Sequence, residues 1–70
     1  MARRGRDWWW SAQDLGEALA YNEVSEAKAK GVIEVVALSK YSRPKAKRWR
    51  ELWYNAAMRH YNSAIRARNS

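Results

Sequence analysis

The side chains of this sequence that can do chemistry are few in kind and unevenly placed. His60 is the single histidine, and there is no cysteine. A zinc site draws its ligands mainly from these two residue types, and a nucleophilic triad needs a nucleophile, a base and an orienting acid within hydrogen-bond reach. Neither set can be assembled around His60, because no carboxylate pair shares its helix face. No glycine-rich loop is present to cradle a phosphate. His60 falls beside Trp49 and Trp53 at helical spacing, so a packed imidazole is expected there. The chain reads as non-enzymatic, with no cofactor and no metal.

The groups that remain are basic and amide side chains, whose natural targets are phosphates and base edges. At about 100° per residue, Arg48, Glu51, Asn55, Arg59, Asn62 and Arg66 fall on one narrow strip of a helix. Arginine pairs with guanine and asparagine with adenine in the major groove. Lys45, Lys47, Arg48 and Arg50 concentrate positive charge at the start of that helix. Arg3, Arg4 and Arg6 make a basic arm suited to a minor groove or a phosphate backbone. The competing reading is a solvated face of a basic helix.

Charge distribution bears on that choice. The net charge is +7, yet residues 7–38 carry six acids against Lys28 and Lys30, while residues 39–70 carry nine basic groups against Glu51. An acidic segment lying antiparallel to the basic helix would neutralise part of this internally. The surplus must still face outward, where it attracts phosphate, anionic lipid or an acidic protein.

Trp8, Trp9 and Trp10 are consecutive, so they cannot all point into one core from a helix or a strand. They serve as an aromatic lid on the bundle, as exposed anchors for a protein partner, or as stacking platforms for bases.

These groups need elements to position them. Residues 1–10 form a basic, tryptophan-rich arm, and residues 11–68 form one helical domain. Ser11-Ala12-Gln13-Asp14 has the form of a capping box and opens a first helix over 11–21, with Leu15, Ala18, Leu19 and Asn22 on one face. A bend at Tyr21 and Asn22 leads to a second helix over 23–39, whose apolar stripe is Ala20, Val24, Ala27, Gly31, Val35 and Leu38. Residues 32–38 are rich in β-branched side chains, which favour strands. No second strand is available inside the chain to pair with them, so they are read as helix unless two copies pair strands across a dimer.

Ser42 as a cap and Pro44 in the first turn begin a third helix over 43–67. Trp49, Trp53, Ala56, His60, Ala64 and Ala67, flanked by Leu52 and Ala57, make its core stripe. A second ridge of Tyr54, Met58, Tyr61 and Ile65 lies nearly opposite. Tyr54-Asn55-Ala56-Ala57-Met58-Arg59-His60 is echoed seven residues on by Tyr61-Asn62-Ser63-Ala64-Ile65-Arg66-Ala67, a period that keeps like residues turned to a helical partner. Such a helix is either central to its bundle or shared with another chain.

A helix-turn-helix over 12–31 fits poorly, because its recognition helix would carry Glu23 and Glu26 toward phosphate. The expected architecture is all-α, a small three-helix assembly that self-associates through its C-terminal helix. No apolar run approaches the roughly 18 residues needed to span a bilayer, and the start of the chain lacks the apolar stretch of a signal peptide, so a cytoplasmic protein is expected. The expected function is nucleic-acid binding or regulation, of a kind suited to a phage or mobile-element accessory factor. The alternative is a module or inhibitor that docks Trp8, Trp9, Trp10, Tyr54 and Tyr61 with basic side chains on an acidic protein. A Trp/Arg segment acting at membrane surfaces is disfavoured by the acids of residues 7–38.

Overall fold

A helix starts where a side chain can satisfy the first free amides. Ser11 does so for α1, Ala12–Tyr21, its Oγ accepting from the Asp14 amide at 3.0 Å. Ser25 does so for α2, Glu26–Lys40, accepting from the Lys28 amide at 3.3 Å. Pro44, with no amide hydrogen to leave unsatisfied, opens a single 3-10 turn, Pro44–Ala46, that runs directly into α3, Lys47–Asn69. The computed structural model describes residues 10–70, and no strand occurs among them. The expected all-α, three-helix architecture is therefore present, and residues 32–38 are helical within α2.

Two boundaries differ from the sequence expectation. The second helix begins at Glu26, not at 23, because residues 22–25 close the end of α1. The Asn22 amide and its side-chain Nδ2 both donate to the Ala18 carbonyl, and the Val24 amide donates to the Leu19 carbonyl at 3.1 Å. Glu23 adopts a left-handed φ of 58°, which reverses the chain. Ser42 does not cap α3; Arg43 precedes the 3-10 turn, and no side chain caps either element.

α3 is the axis of the fold. Gly16 of α1 lies beside Ala57 to Tyr61, and the Ala20 carbonyl is reached by Arg68, so α1 runs parallel to α3. The buried Tyr61 hydroxyl donates to the Val24 carbonyl just before α2, and Arg50 donates to the Tyr41 carbonyl just after it, so α2 runs antiparallel. Both helices pack on α3 and barely meet each other. A helix-turn-helix packs its two helices together, and α1 and α2 do not. The Cα extents are 38 × 31 × 15 Å, so the shortest dimension is little more than one helix diameter of about 10–12 Å. In so thin a body each helix keeps an open side.

The core joins Leu15, Ala20, Ala29, Ile33, Ala57, Met58 and Tyr61. Four of these are large and three are alanines, which let helix backbones approach closely. Gly16 carries this furthest: a Cβ built there would sit 2.5 Å from the Ala57 carbonyl oxygen and 2.8 Å from the Tyr61 amide nitrogen. Both atoms are backbone, so neither can step aside without moving a helix.

The expected apolar stripes are rotated. In α3 the buried side chains are Ala57, which flanks the expected core stripe, and Met58 and Tyr61 of the second ridge, while Trp49, Leu52 and Ala67 of the expected core stripe are exposed. Trp53, Ala56, His60 and Ala64 are half-buried. In α2 the buried face is Ala29, Ile33 and Ala37, opposite the expected stripe, and Gly31, Val35 and Leu38 face outward. Ile33 between two alanines enters the narrow space over α3. The hydrogen bonds at Val24 and Tyr41 pin both ends of α2 and hold this rotation.

Candidate nucleic-acid interface

The polar strip of α3 lies on its open side, with Arg48 and Arg66 about 180° around the helix from the buried Ala57 and about 140° from Tyr61. Arg48, Glu51, Asn55, Arg59, Asn62 and Arg66 are all exposed, as are Lys45 and Lys47. From residue 48 to 66 the strip runs about 27 Å along one straight helix. Two ion pairs occur among the described residues, and neither engages a side chain of the strip. Of the acidic segment, α2 lies antiparallel to the basic helix and α1 parallel to it, and neither neutralises this face; among the described residues the one ion pair between elements is Arg68 with Glu23, at 3.0 Å.

Several residues chosen from sequence are placed elsewhere. Arg50 is half-buried and donates to the Tyr41 carbonyl at 2.8 Å, which makes it a clamp on the end of α2. Tyr61 is 3% exposed with its hydroxyl occupied by Val24, so it stands in the core and presents nothing to a partner. Tyr54 is half-buried in a groove between α2 and α3, with Asn55 at its rim. Trp10 is exposed. Arg3, Arg4, Arg6, Trp8 and Trp9 lie outside the described residues.

Two features were not drawn from sequence. Trp49 and Leu52, 62% and 49% exposed, stand beside Arg48 on the open side of α3, so an aromatic and an aliphatic side chain border the basic strip. Their apolar character made them look like core, and the signal that corrects this is the stronger claim of Ala57 and Tyr61 on the buried side. Arg68 is, in the sequence, only one more positive charge. It ties the C-terminal end of α3 to the turn after α1, donating to the Ala20 carbonyl at 3.3 Å and to Glu23.

His60 is half-buried, with its Cβ 2.9 Å from the place a Gly16 Cβ would occupy. Among the described residues no three acidic, histidine or cysteine side chains group in a way that could hold a metal. Among the described residues no helix is long and apolar enough to cross a membrane.

Fold and surface together define a small, basic, three-helix domain with one cationic helix face. Comparison of the chain with protein-family models, with curated proteins and with solved structures finds no match.

Proposed function

We propose that this is a non-enzymatic nucleic-acid-binding protein of the cytoplasm and that the exposed strip of α3 is its contact surface. The observation that supports this best is the strip itself: Arg48, Arg59 and Arg66 alternate with Asn55 and Asn62 on a face that no carboxylate of another element engages among the described residues. Buried hydrogen-bonding partners would have given these side chains a structural purpose, and none is present among the described residues. Asn55, Arg59 and Asn62, at the middle of the strip, are the groups for base edges, with Arg48 and Arg66 at its two ends on phosphates. A straight helix fits the major groove over only part of such a length, so its ends meet the backbone as the groove curves away. Glu51 is the one acid on the strip and works against phosphate. The arm of Arg3, Arg4 and Arg6 adds positive charge to the same chain.

The test is fluorescence anisotropy of labelled duplex DNA, single-stranded DNA and RNA across a salt series. Engagement of about six phosphates gives a slope near −5 in a log-log plot of duplex affinity against salt. No binding at low salt to any of the three ends this reading.

A second reading rests on Trp49 and Leu52. An exposed tryptophan beside an exposed leucine and basic side chains has the composition of an anchor for an acidic protein. Loss of a protein partner on Trp49→Ala, with nucleic-acid affinity unchanged, would favour it.

A further inference from the structure

Two glycines sit inside the helices, and the intrachain packing uses one of them. Gly16 makes the closest approach of α1 to α3. Gly31, in the middle of α2, has ordinary helical φ, and a Cβ built on it would meet nothing within 4 Å. Glycine in a helix interior costs about 0.5–1 kcal/mol relative to alanine. Nothing among the described residues offsets that cost at Gly31.

Its surroundings are apolar. Ala27, Val35 and Leu38 lie four residues before and four and seven after it, on the side of α2 turned away from Ile33. Val35 is 65% exposed and Leu38 52%, and Val32 stands on the flank. Gly31, Val32, Val35 and Val36 line a shallow depression edged by Lys28. A small residue at the centre of an exposed apolar ridge is what lets a second helix come close.

We propose that this face of α2 packs against the same face of a second copy of the chain, the two helices crossing antiparallel beside Gly31. Charge selects this occupant. The chain carries +7, so two copies repel wherever their arginines meet. Along the ridge itself, from Glu26 to Leu38, the charges Glu26, Lys28, Lys30 and Glu34 sum to zero, Lys40 lies beyond it in the last turn of α2, and the arginine strip lies on another helix. The balance gives no purchase to a phosphate-bearing ligand.

An antiparallel pair also matches edge charges. A two-fold axis beside Val32 sets Glu34 of each copy level with Lys30 of the other, on the same edge of the interface. Glu34 has no ion-pair partner among the described residues, and the bond from Lys30 to Glu26 is a long, exposed 3.7 Å. The ridge from Ala27 to Leu38 spans about 16 Å. At Leu38 it continues into a groove of about 580 Å³ between α2 and α3, whose walls include Ala37 and Tyr54. A surface of this extent falls at the small end of stable interfaces, which total about 1,200–2,000 Å², so micromolar association is expected. The second ridge of α3, Tyr54, Met58, Tyr61 and Ile65, packs on or against the core, so the face offered to a second copy is the open apolar ridge of α2.

The inference stands apart from nucleic-acid binding, and its test contains no nucleic acid. Sedimentation velocity of the full chain from about 1 to about 500 μM should show the 8.2 kDa protein passing to twice that mass. Val35→Glu should weaken association more than tenfold. Glu34→Lys or Lys30→Glu alone should weaken it, and the two together should restore it. Should Val35→Glu lose its helical circular dichroism, the charge pair, on an exposed edge, carries the test. A monomer throughout the range, a dimer indifferent to Val35→Glu with its fold intact, or failure of the double charge exchange to restore association each overturns the proposal.

Discussion

Gly16 rests on Ala57 so closely that the smallest side chain would penetrate the carbonyl oxygen of the facing helix, at 2.5 Å. That contact sets the distance between α1 and α3 along their shared length, and it makes Gly16 the position in α1 least tolerant of change. Gly16→Ala forces two backbones apart and should destabilise the domain by about 2–3 kcal/mol or more. For a domain of this size that is a large share of its total stability. Gly31→Ala, with open space around it, should do the reverse, raising stability by about 0.5–1 kcal/mol in dilute solution. Thermal melts of the two variants, followed by circular dichroism, should move in opposite directions from the parent. Equal destabilisation would contradict the packing described.

Tyr61 joins the core to the start of α2 through one hydroxyl. Tyr61→Phe keeps the ring and leaves the Val24 carbonyl without its donor, at a cost of about 1–2 kcal/mol. Urea unfolding should show a lower midpoint with the slope unchanged. An unshifted midpoint would mean that water replaces the hydroxyl at no cost.

The two serine caps should matter singly and about equally. Ser11→Ala and Ser25→Ala each remove an acceptor from a first-turn amide, worth about 1 kcal/mol. Glycine at either position should lose only a few tenths, and comparing alanine with glycine by urea melts separates capping from packing.

Arginines of α3 should divide by role. Arg59→Ala and Arg66→Ala each remove an exposed charge with no ion-pair partner among the described residues, so both should leave melting unchanged; Arg66→Ala, on a phosphate, should lower the salt slope of duplex binding by about 1, and Arg59→Ala, at a base edge, should cost about 1–3 kcal/mol of affinity. Arg68→Ala breaks contacts to Ala20 and Glu23, so it should lower stability by up to about 1 kcal/mol. Affinity measured beside melting temperature for each variant checks the division. If the Arg59 and Arg66 pair proves silent in binding, the α3 strip is a solvated face.

How far residues alone reach is visible element by element. The serine cap before α1, the proline before α3 and the heptad-like echo in α3 are local signals, set by hydrogen bonds and spacing within a few residues. They suffice for an all-α fold of three helices, and the polar strip of α3 is legible for the same reason, whereas the two apolar ridges of α3 leave open whether it is central to its bundle or shared with another chain. The turn at residues 22–25 is not legible in the sequence because Glu23 takes a left-handed φ, a conformation its residue type rarely signals.

Rotation of each helix about its axis was not a local property. α2 is apolar on both sides, so counting hydrophobic residues favoured Gly31, Val35 and Leu38, whereas Ile33 between Ala29 and Ala37 is what fits against α3. Small residues carry little hydrophobic signal, yet Gly16, Ala20 and Ala57 decide how near two backbones come. Tyr61 and Arg50 look like surface groups in a list of residues and become fastenings only when Val24 and Tyr41 are brought beside them. Composition and periodicity thus settled which segments are helical and that their charge is unbalanced. Which faces meet, and which apolar ridge is left open, depended on close packing between segments far apart in the chain, where shape complementarity outweighs hydrophobicity.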